Sequence, residues 1–300
     1  MKIVITGGAG FIGSNLAEEL SNDNEIIVLD DLFAGKLTNT RDLDIKFVEG
    51  SITDLDLLQK LFKDVEYVFH QAAIASVPRS INDPVASNNA NINGTLNVLV
   101  AAKDSGVKKV ICASSSSVYG DTPELPKRED MKPTPKSPYA ISKLAGEYYC
   151  TVFSEVYGLK TVSLRYFNVY GPKQDPSSEY AAVIPKFIRK AQENKPPIIY
   201  GDGEQTRDFT FVKDVVNANI LALERGEGVF NIASGSRITI NELADKIIAM
   251  CGKSLKPIHE SPRPGDIMHS LADISKAEKE LRYKPEYVLD EGLRDTIEYF

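Results

Sequence analysis

Tryptophan is absent from the 300 residues, and cysteine and histidine are scarce, at three each. Cys112, Cys150 and Cys251 are odd in number, distant in sequence and set in apolar runs. That pattern excludes a disulfide framework and fits reduced core thiols. His70, His259 and His269 have no ligand-like spacing with them, so no metal site is expected. No run of lysine or arginine occurs, and the formal charge is −7. Nucleic acid and anionic membrane are thereby excluded as main partners. No apolar stretch approaches the roughly 20 residues of a membrane span. The opening MKIVITGG lacks the basic and apolar regions of a signal peptide and reads as a buried strand and a turn. The expectation is a soluble cytoplasmic chain of one large or two moderate domains.

What is present is alternation. KIVIT, EIIVLD, IKFVEG, EYVFHQAA and KKVICASSS read as buried strands, and LKTVSLRYFNVYG as a further one. FIGSNLAEEL, LDLLQKLF and NNANINGTLNVLVAAKDSG carry apolar residues at helical spacing. Strand–helix alternation of this kind predicts an α/β fold with a doubly wound parallel sheet, the Rossmann architecture. After about residue 171 the loops become rich in Pro, Gly and charge, with helices expected near 180–192, 213–224, 239–250, 275–281 and 289–299. The expected division is a dinucleotide-binding domain over 1–171 and a smaller mixed substrate lobe over 172–300. Elements of the second part are free to cross back to the first.

ITGGAGFIGSNLAEEL places Gly7, Gly10 and Gly13 directly after the first strand and at the opening of a helix. Glycines there permit a tight turn and let the backbone, with Phe11 and Ile12, approach a pyrophosphate at the helix N-terminus. Asp30 ends the second strand, where a carboxylate can accept hydrogen bonds from the adenosine ribose. A 2′-phosphate would face Asp30 and Asp31 with no arginine nearby, so NAD is expected rather than NADP.

SPYAISK puts Tyr139 and Lys143 four positions apart after a proline, on one face of a helix. A free tyrosine has a pKa of about 10 and is a poor base at neutrality. Lys143 and a positive nicotinamide both favour the phenolate. Lowering the pKa to about 7 takes about 4 kcal/mol of differential stabilisation. ASSSSVYGD adds a run of hydroxyls, Ser114 to Ser117, at the C-terminal end of strand five, the sheet edge where ligands bind.

The glycine spacing, the serines before VYG and Tyr-x-x-x-Lys together resemble the extended short-chain dehydrogenase/reductase family, from Met1 to about Leu289. The resemblance implies catalytic roles for Ser115, Tyr139 and Lys143, with Ser116 and Ser117 next in line for the hydroxyl role. It implies cofactor contacts at Ser51, Ile52, Gln71, Ala72, Ala73 and Asn91. The loop HQAAIASVPRSINDP lies along the cofactor in the family. Substrate contacts follow for Asn168, Val183, Arg207, Arg263, Asp266 and Ser270, the two arginines being suited to diphosphate oxygens. Ser51 departs from the family pattern: many relatives have an acid there for the adenine amine.

Within the family, a 4,6-dehydratase or a decarboxylase carries acid/base side chains directly after the catalytic hydroxyl. Here those positions are Ser116 and Ser117. A reductase would use NADPH, which Asp30 discourages. HQAA-x-x-SVPRSINDP, AAVIPK and HSLADISKA resemble UDP-N-acetylglucosamine 4-epimerases. The resemblance implies reversible 4-epimerisation of UDP-sugars, with the hydride held by NAD while a 4-keto sugar turns over. A UDP-glucose 4-epimerase proper and a non-catalytic NAD-binding regulator are the other readings. The helix from Tyr139 carries Ile141, Leu144, Ala145, Tyr148, Tyr149, Val152, Phe153 and Val156, and the one at 88–103 is similarly apolar. Both are apolar around more than one face, which predicts a homodimer through a four-helix interface.

Overall fold

The computed structural model describes residues 1–176, 182–262 and 267–300. Seven parallel strands form one sheet: β1 (Lys2–Thr6), β2 (Glu25–Asp30), β3 (Lys46–Glu49), β4 (Tyr67–His70), β5 (Lys109–Ser115), β6 (Lys160–Tyr166) and β11 (Gly228–Ile232). Their order is β11-β6-β5-β4-β1-β2-β3, so the chain reverses direction of winding between β1 and β4. Ligands bind at such a switch point, outside the C-terminal strand ends. The strands are apolar throughout because helices cover both sheet faces.

One face buries Ile3, Ile5, Val28, Phe69 and Ile111 against α1 (Phe11–Leu20), α8 (Val212–Glu224) and α10 (Ser275–Glu280). The other buries Val4, Leu29, Val68 and Val110 against α2 (Leu55–Leu61), α5 (Gly94–Asp104) and α6 (Pro138–Tyr157). A separate core around Phe187, Phe211, Leu243 and Ile247 joins α7 (Val183–Gln192), α9 (Ile240–Met250) and α11 (Leu289–Tyr299). Three short strand pairs frame that core: β7 (Val169–Tyr170) with β10 (Thr210–Phe211), β8 (Ile198–Tyr200) with β13 (Ile258–Glu260), and β9 (Thr206–Arg207) with β12 (Ile238–Thr239). The chain beyond residue 171 thus contributes β11, α8 and α10 to the sheet layer and the rest to the second core. No helix among the described residues is long and apolar enough to cross a membrane.

Two departures from the sequence expectation have clear causes. The segment read as a loop after β4 contains α3 (Val77–Asn82) and α4 (Pro84–Asn88). Pro78 and Pro84 sit in first turns, where no backbone N–H is needed, and Ser76 and Asp83 cap them. LKTVSLRYFNVYG is two strands, because Asn168 at φ 32° turns the chain between β6 and β7. The structure also brings the sequence-distant Cys112 and Cys150 together, Sγ to Sγ at 3.2 Å, both free and buried.

His70 lies under the sheet edge with no access to water. Thr95 Oγ1 donates to the Asn91 carbonyl at 2.6 Å, so it accepts from His70 Nε2 at 2.8 Å. Nδ1 then accepts from Thr6 Oγ1 at 2.8 Å, which fixes a neutral imidazole with its proton on Nε2. Burial, aided by the Lys143 charge, pushes His70 down to about 3. The unfolded chain binds this proton near pH 6.5 and the folded one does not, so folding loses stability as pH falls from there towards 3. Urea unfolding at a series of pH values should show a shallower loss in His70→Gln than in the wild type. The difference should approach one proton, about 1.4 kcal/mol per pH unit. Equal slopes would mean that His70 titrates normally in the fold.

Candidate functional site

A cleft of about 780 Å³ opens over the C-terminal ends of β1, β2, β4 and β5. Its floor is the glycine loop. Gly7 has φ +70°, and a Cβ there would lie 2.6 Å from Ala72 backbone atoms. A Cβ on Gly13 would collide with the Gly7 carbonyl oxygen. The loop is therefore closed to side chains, and its backbone forms a concave surface. Helix α1 begins at Gly10 with no capping side chain and no acid in its first turn. Its orphan amides and dipole are left for an anion.

Asp30 stands at the rim of this cradle, 7% exposed. Its Oδ2 accepts from Ala9 N at 3.0 Å and its Oδ1 from Leu32 N at 2.8 Å. Burial raises its pKa, and these amides oppose the rise. A carboxylate can accept several hydrogen bonds, so Asp30 can also receive a ribose hydroxyl. The uncapped helix, the glycine cradle and the held carboxylate fit a dinucleotide with an unphosphorylated ribose.

Phe11, Ile12, Asp31, Ser51, Ile52, Gln71, Ala72 and Ala73 line the same cleft, together with Tyr139 and Lys143. Ser51 bonds to Thr53 Oγ1 at 2.9 Å, within its own turn. Asn91 is buried behind the wall instead. It accepts from Ile74 N at 2.8 Å, donates to Ile74 O at 3.2 Å, and donates to Ser142 Oγ at 3.0 Å. It ties the loop after β4 to α6. Sequence reading stopped at Asp31 and so missed Phe33 to Lys36, which line the cleft beside Asp30, with Arg79 stacked 4.9 Å from the Phe33 ring centre. It also missed Tyr166 and Gln174. The position of Phe33 to Lys36 directly after Asp30 was the available signal; Tyr166 and Gln174 come from the far half of the chain.

Helix α6 delivers Tyr139 and Lys143. Ser137 caps it by accepting from Ala140 N at 3.1 Å, Pro138 starts it, and Gly158 ends it at φ 70°. Lys143 Nζ donates to the Ala113 carbonyl at 2.9 Å and lies 6.0 Å from the Tyr139 ring centre. Burial pushes Lys143 down to about 8. Burial pushes the Tyr139 phenol up, and a hydrogen bond with Ser115 offsets part of that rise. The four serines separate by environment. Ser114 Oγ donates to the buried Glu147 carboxylate. Ser115 Oγ accepts from Ser117 N at 3.2 Å and reaches the Tyr139 phenol. Ser116 is half-buried and carries no acid/base group. Ser117 Oγ is buried without a partner among the described residues.

The expected substrate residues fall around the second core. Asn168 Nδ2 donates to Asp208 O at 2.9 Å. Val183 opens α7, next to Ala182 on the cleft wall. Arg207 lines a second cavity of about 660 Å³ with Phe209, Arg237 and Ile238, apart from the dinucleotide cleft. Ser270 is buried and its N–H donates to Thr206 O at 3.0 Å, which lays its segment beside Arg207. Arg263 and Asp266 lie outside the described residues.

Comparison with known proteins agrees with this geometry. Residues 3–233 match the model of the NAD dependent epimerase/dehydratase family. The UDP-glucose 4-epimerase of Mycolicibacterium smegmatis is 39% identical over 310 residues, covering 100% of this chain and 98% of that protein. The solved UDP-N-acetylglucosamine 4-epimerase of Methanobrevibacter ruminantium, in complex with UDP-N-acetylmuramic acid, superposes with a TM-score of 0.97 at 45% identity, over 100% of this chain and 97% of that one. The UDP-glucose 4-epimerase of Thermotoga maritima, solved with UDP-glucose, gives 0.97 at 41% identity, over 100% and 98%. The chain belongs to the NAD dependent epimerase/dehydratase family.

Proposed function

We propose that this protein is a reversible NAD-dependent UDP-sugar 4-epimerase whose principal pair is UDP-N-acetylglucosamine and UDP-N-acetylgalactosamine. The observation that carries the reaction class is Tyr139 on the wall of the dinucleotide cleft, with Lys143 one helical turn on and Ser115 at its phenol. Bound NAD would supply reversible hydride acceptance for the sugar C4. Gly7, Gly10, Gly13 and the α1 amides would hold its pyrophosphate, and Asp30 its ribose. Tyr139 Oη takes the proton of the 4-hydroxyl and later gives it back. Ser115 Oγ donates to the same sugar oxygen and holds it in place. Lys143 holds positive charge beside the phenol. Burial raises the Tyr139 pKa, and positive charge near the phenol works against that rise and favours its role as a base. Ser116 and Ser117 offer no second acid/base pair, which argues against dehydration or decarboxylation.

Tyr139→Phe should lower turnover by at least about 100-fold, the low end for losing an acid/base group. Bound NAD should remain, because the glycine loop and Asp30 are untouched. A nearly normal rate would remove Tyr139 from the reaction.

The choice of sugar rests on Ser270. It sits in the segment that runs beside Thr206–Arg207, where a small side chain leaves room for an N-acetyl group. UDP-glucose and UDP-galactose form a secondary pair on this reading. Ser270→Tyr should suppress the acetylated pair by steric exclusion and spare the other. Chromatographic assay of both pairs with both proteins tests this. Equal loss of both activities, or a wild type that rejects acetylated sugars, contradicts it.

The apolar stripe of α6 supports a homodimer. Ile141, Tyr148, Val152 and Val156 are 45–65% exposed and recur at helical spacing, and Val77, Ile81 and Val85 from α3 and α4 are exposed nearby; on the 88–103 helix Val98, Leu99 and Ala102 are buried in the core and Ile92, Leu96 and Val100 only half-buried. Sedimentation at micromolar concentration should give twice the chain mass; a monomer would count against this interface.

A further inference from the structure

Glu147 follows Tyr139 by two turns and Lys143 by one on α6, and all three side chains face the sheet. It is 3% exposed. Arg165 from β6, equally buried, grips it with a fork: Nε to Oε1 at 2.9 Å and Nη2 to Oε2 at 2.7 Å. Oε1 also accepts from Ser114 Oγ, at the end of β5. The Arg165 guanidinium lies 4.7 Å from the Tyr119 ring centre, and Tyr119 Oη donates to Asn231 Oδ1 at 2.7 Å on β11. One carboxylate thus pins α6 to β5 and β6, at the level where Ser114, Ser115 and Lys143 meet. Nothing in hydride or proton transfer uses it directly.

We infer that Glu147, clamped by Arg165, is a positioning residue of the site: it fixes α6 against the serine end of β5, and its carboxylate, one turn from Lys143, favours the ammonium there. The inference rests on the epimerase reading for its effect on turnover, but its effect on Lys143 does not.

The groups that face Lys143 are few. Tyr139, Glu147 and Cys150 share its helix, Cys112 comes from β5 and His70 from β4. His70 is neutral, and the Cys150 contact, together with burial, pushes the Cys112 thiol well up. Around Arg165 stand Tyr119 and Glu129, the latter faced by Lys276. Helix α4 and the turn 89–93 that pack on α6 carry no charged side chain. On α3, Arg79 stacks on Phe33, and on α5 Lys103 pairs with Asp104 at 2.8 Å. Glu147 is therefore the anion that acts on Lys143 among the described residues. Removing a neighbouring negative charge leaves an ammonium less favoured, so its proton affinity falls.

The test reads Lys143 directly. The full-length protein is labelled with an amine-reactive reagent across a pH series, and the Lys143 peptide is quantified by mass spectrometry. In Glu147→Gln the labelling midpoint should fall by at least about half a pH unit, a threefold loss of proton affinity. The alkaline limb of the kcat profile should move the same way, and the protein should retain less NAD. The double variant Glu147→Gln/Arg165→Met leaves no unpaired buried charge and guards against a failure to fold. It should shift the midpoint in the same direction by a smaller amount. A Lys143 midpoint unchanged in both variants overturns the inference, whatever their melting temperatures. A shifted midpoint in a protein whose wild type turns over no UDP-sugar would uphold the charge role and sink the epimerase reading.

Discussion

Lys143 carries its charge into a seam between α6 and β5, and the surrounding structure is arranged to make that tolerable. Desolvation disfavours the ammonium and pushes it to about 8. The Ala113 carbonyl accepts a hydrogen bond from Lys143 Nζ at 2.9 Å. Glu147 lies one turn away, and Arg165 holds Glu147 in turn. Separating such a buried pair typically costs about 3–5 kcal/mol, because a charge is left without a partner. Tyr139 is half-buried on the cleft wall, so a cation placed near its phenol is screened less than it would be in bulk water.

The parallel sheet makes the convergence geometric. Strand ends β1, β2, β4 and β5 deliver the glycine loop, Asp30, the Gln71 loop and the serines to one edge. Gln71 Nε2 then donates to Tyr166 Oη at 3.2 Å and to Asn219 Oδ1 at 3.0 Å, tying β4 to β6 and α8. Residues far beyond position 171 therefore brace the dinucleotide cleft. The Lys36–Asp175 pair at 3.1 Å also reaches between the two halves, although an exposed pair of this kind is worth only about 0–1 kcal/mol.

What could be read in the sequence was local. Gly7, Gly10 and Gly13 sit between a strand and a helix within one short stretch, and Tyr139 and Lys143 are one turn apart. Both patterns imply their own geometry. The strands were legible because burial on both faces leaves continuous apolar runs. Helices α3 and α4 were hidden by prolines that punctuate loops elsewhere but begin helices here. Arg165 could not be matched to Glu147, nor Cys112 to Cys150, because each pair joins a strand to a helix across the fold. Choosing among Ser114 to Ser117 needed the knowledge that Ser114 is taken by Glu147 and that Ser115 reaches Tyr139.

The central claim is that a phenol which burial alone would make a weaker acid becomes a base near neutrality once positive charge surrounds it. Ultraviolet difference titration of wild type against Tyr139→Phe, with NAD bound, measures that phenol directly. The account predicts a tyrosine that ionises near pH 7 in the NAD-loaded wild type, roughly three units below an ordinary tyrosine, and is missing from the variant. A Tyr139 that ionises at or above the ordinary value of about 10 with NAD bound would contradict it.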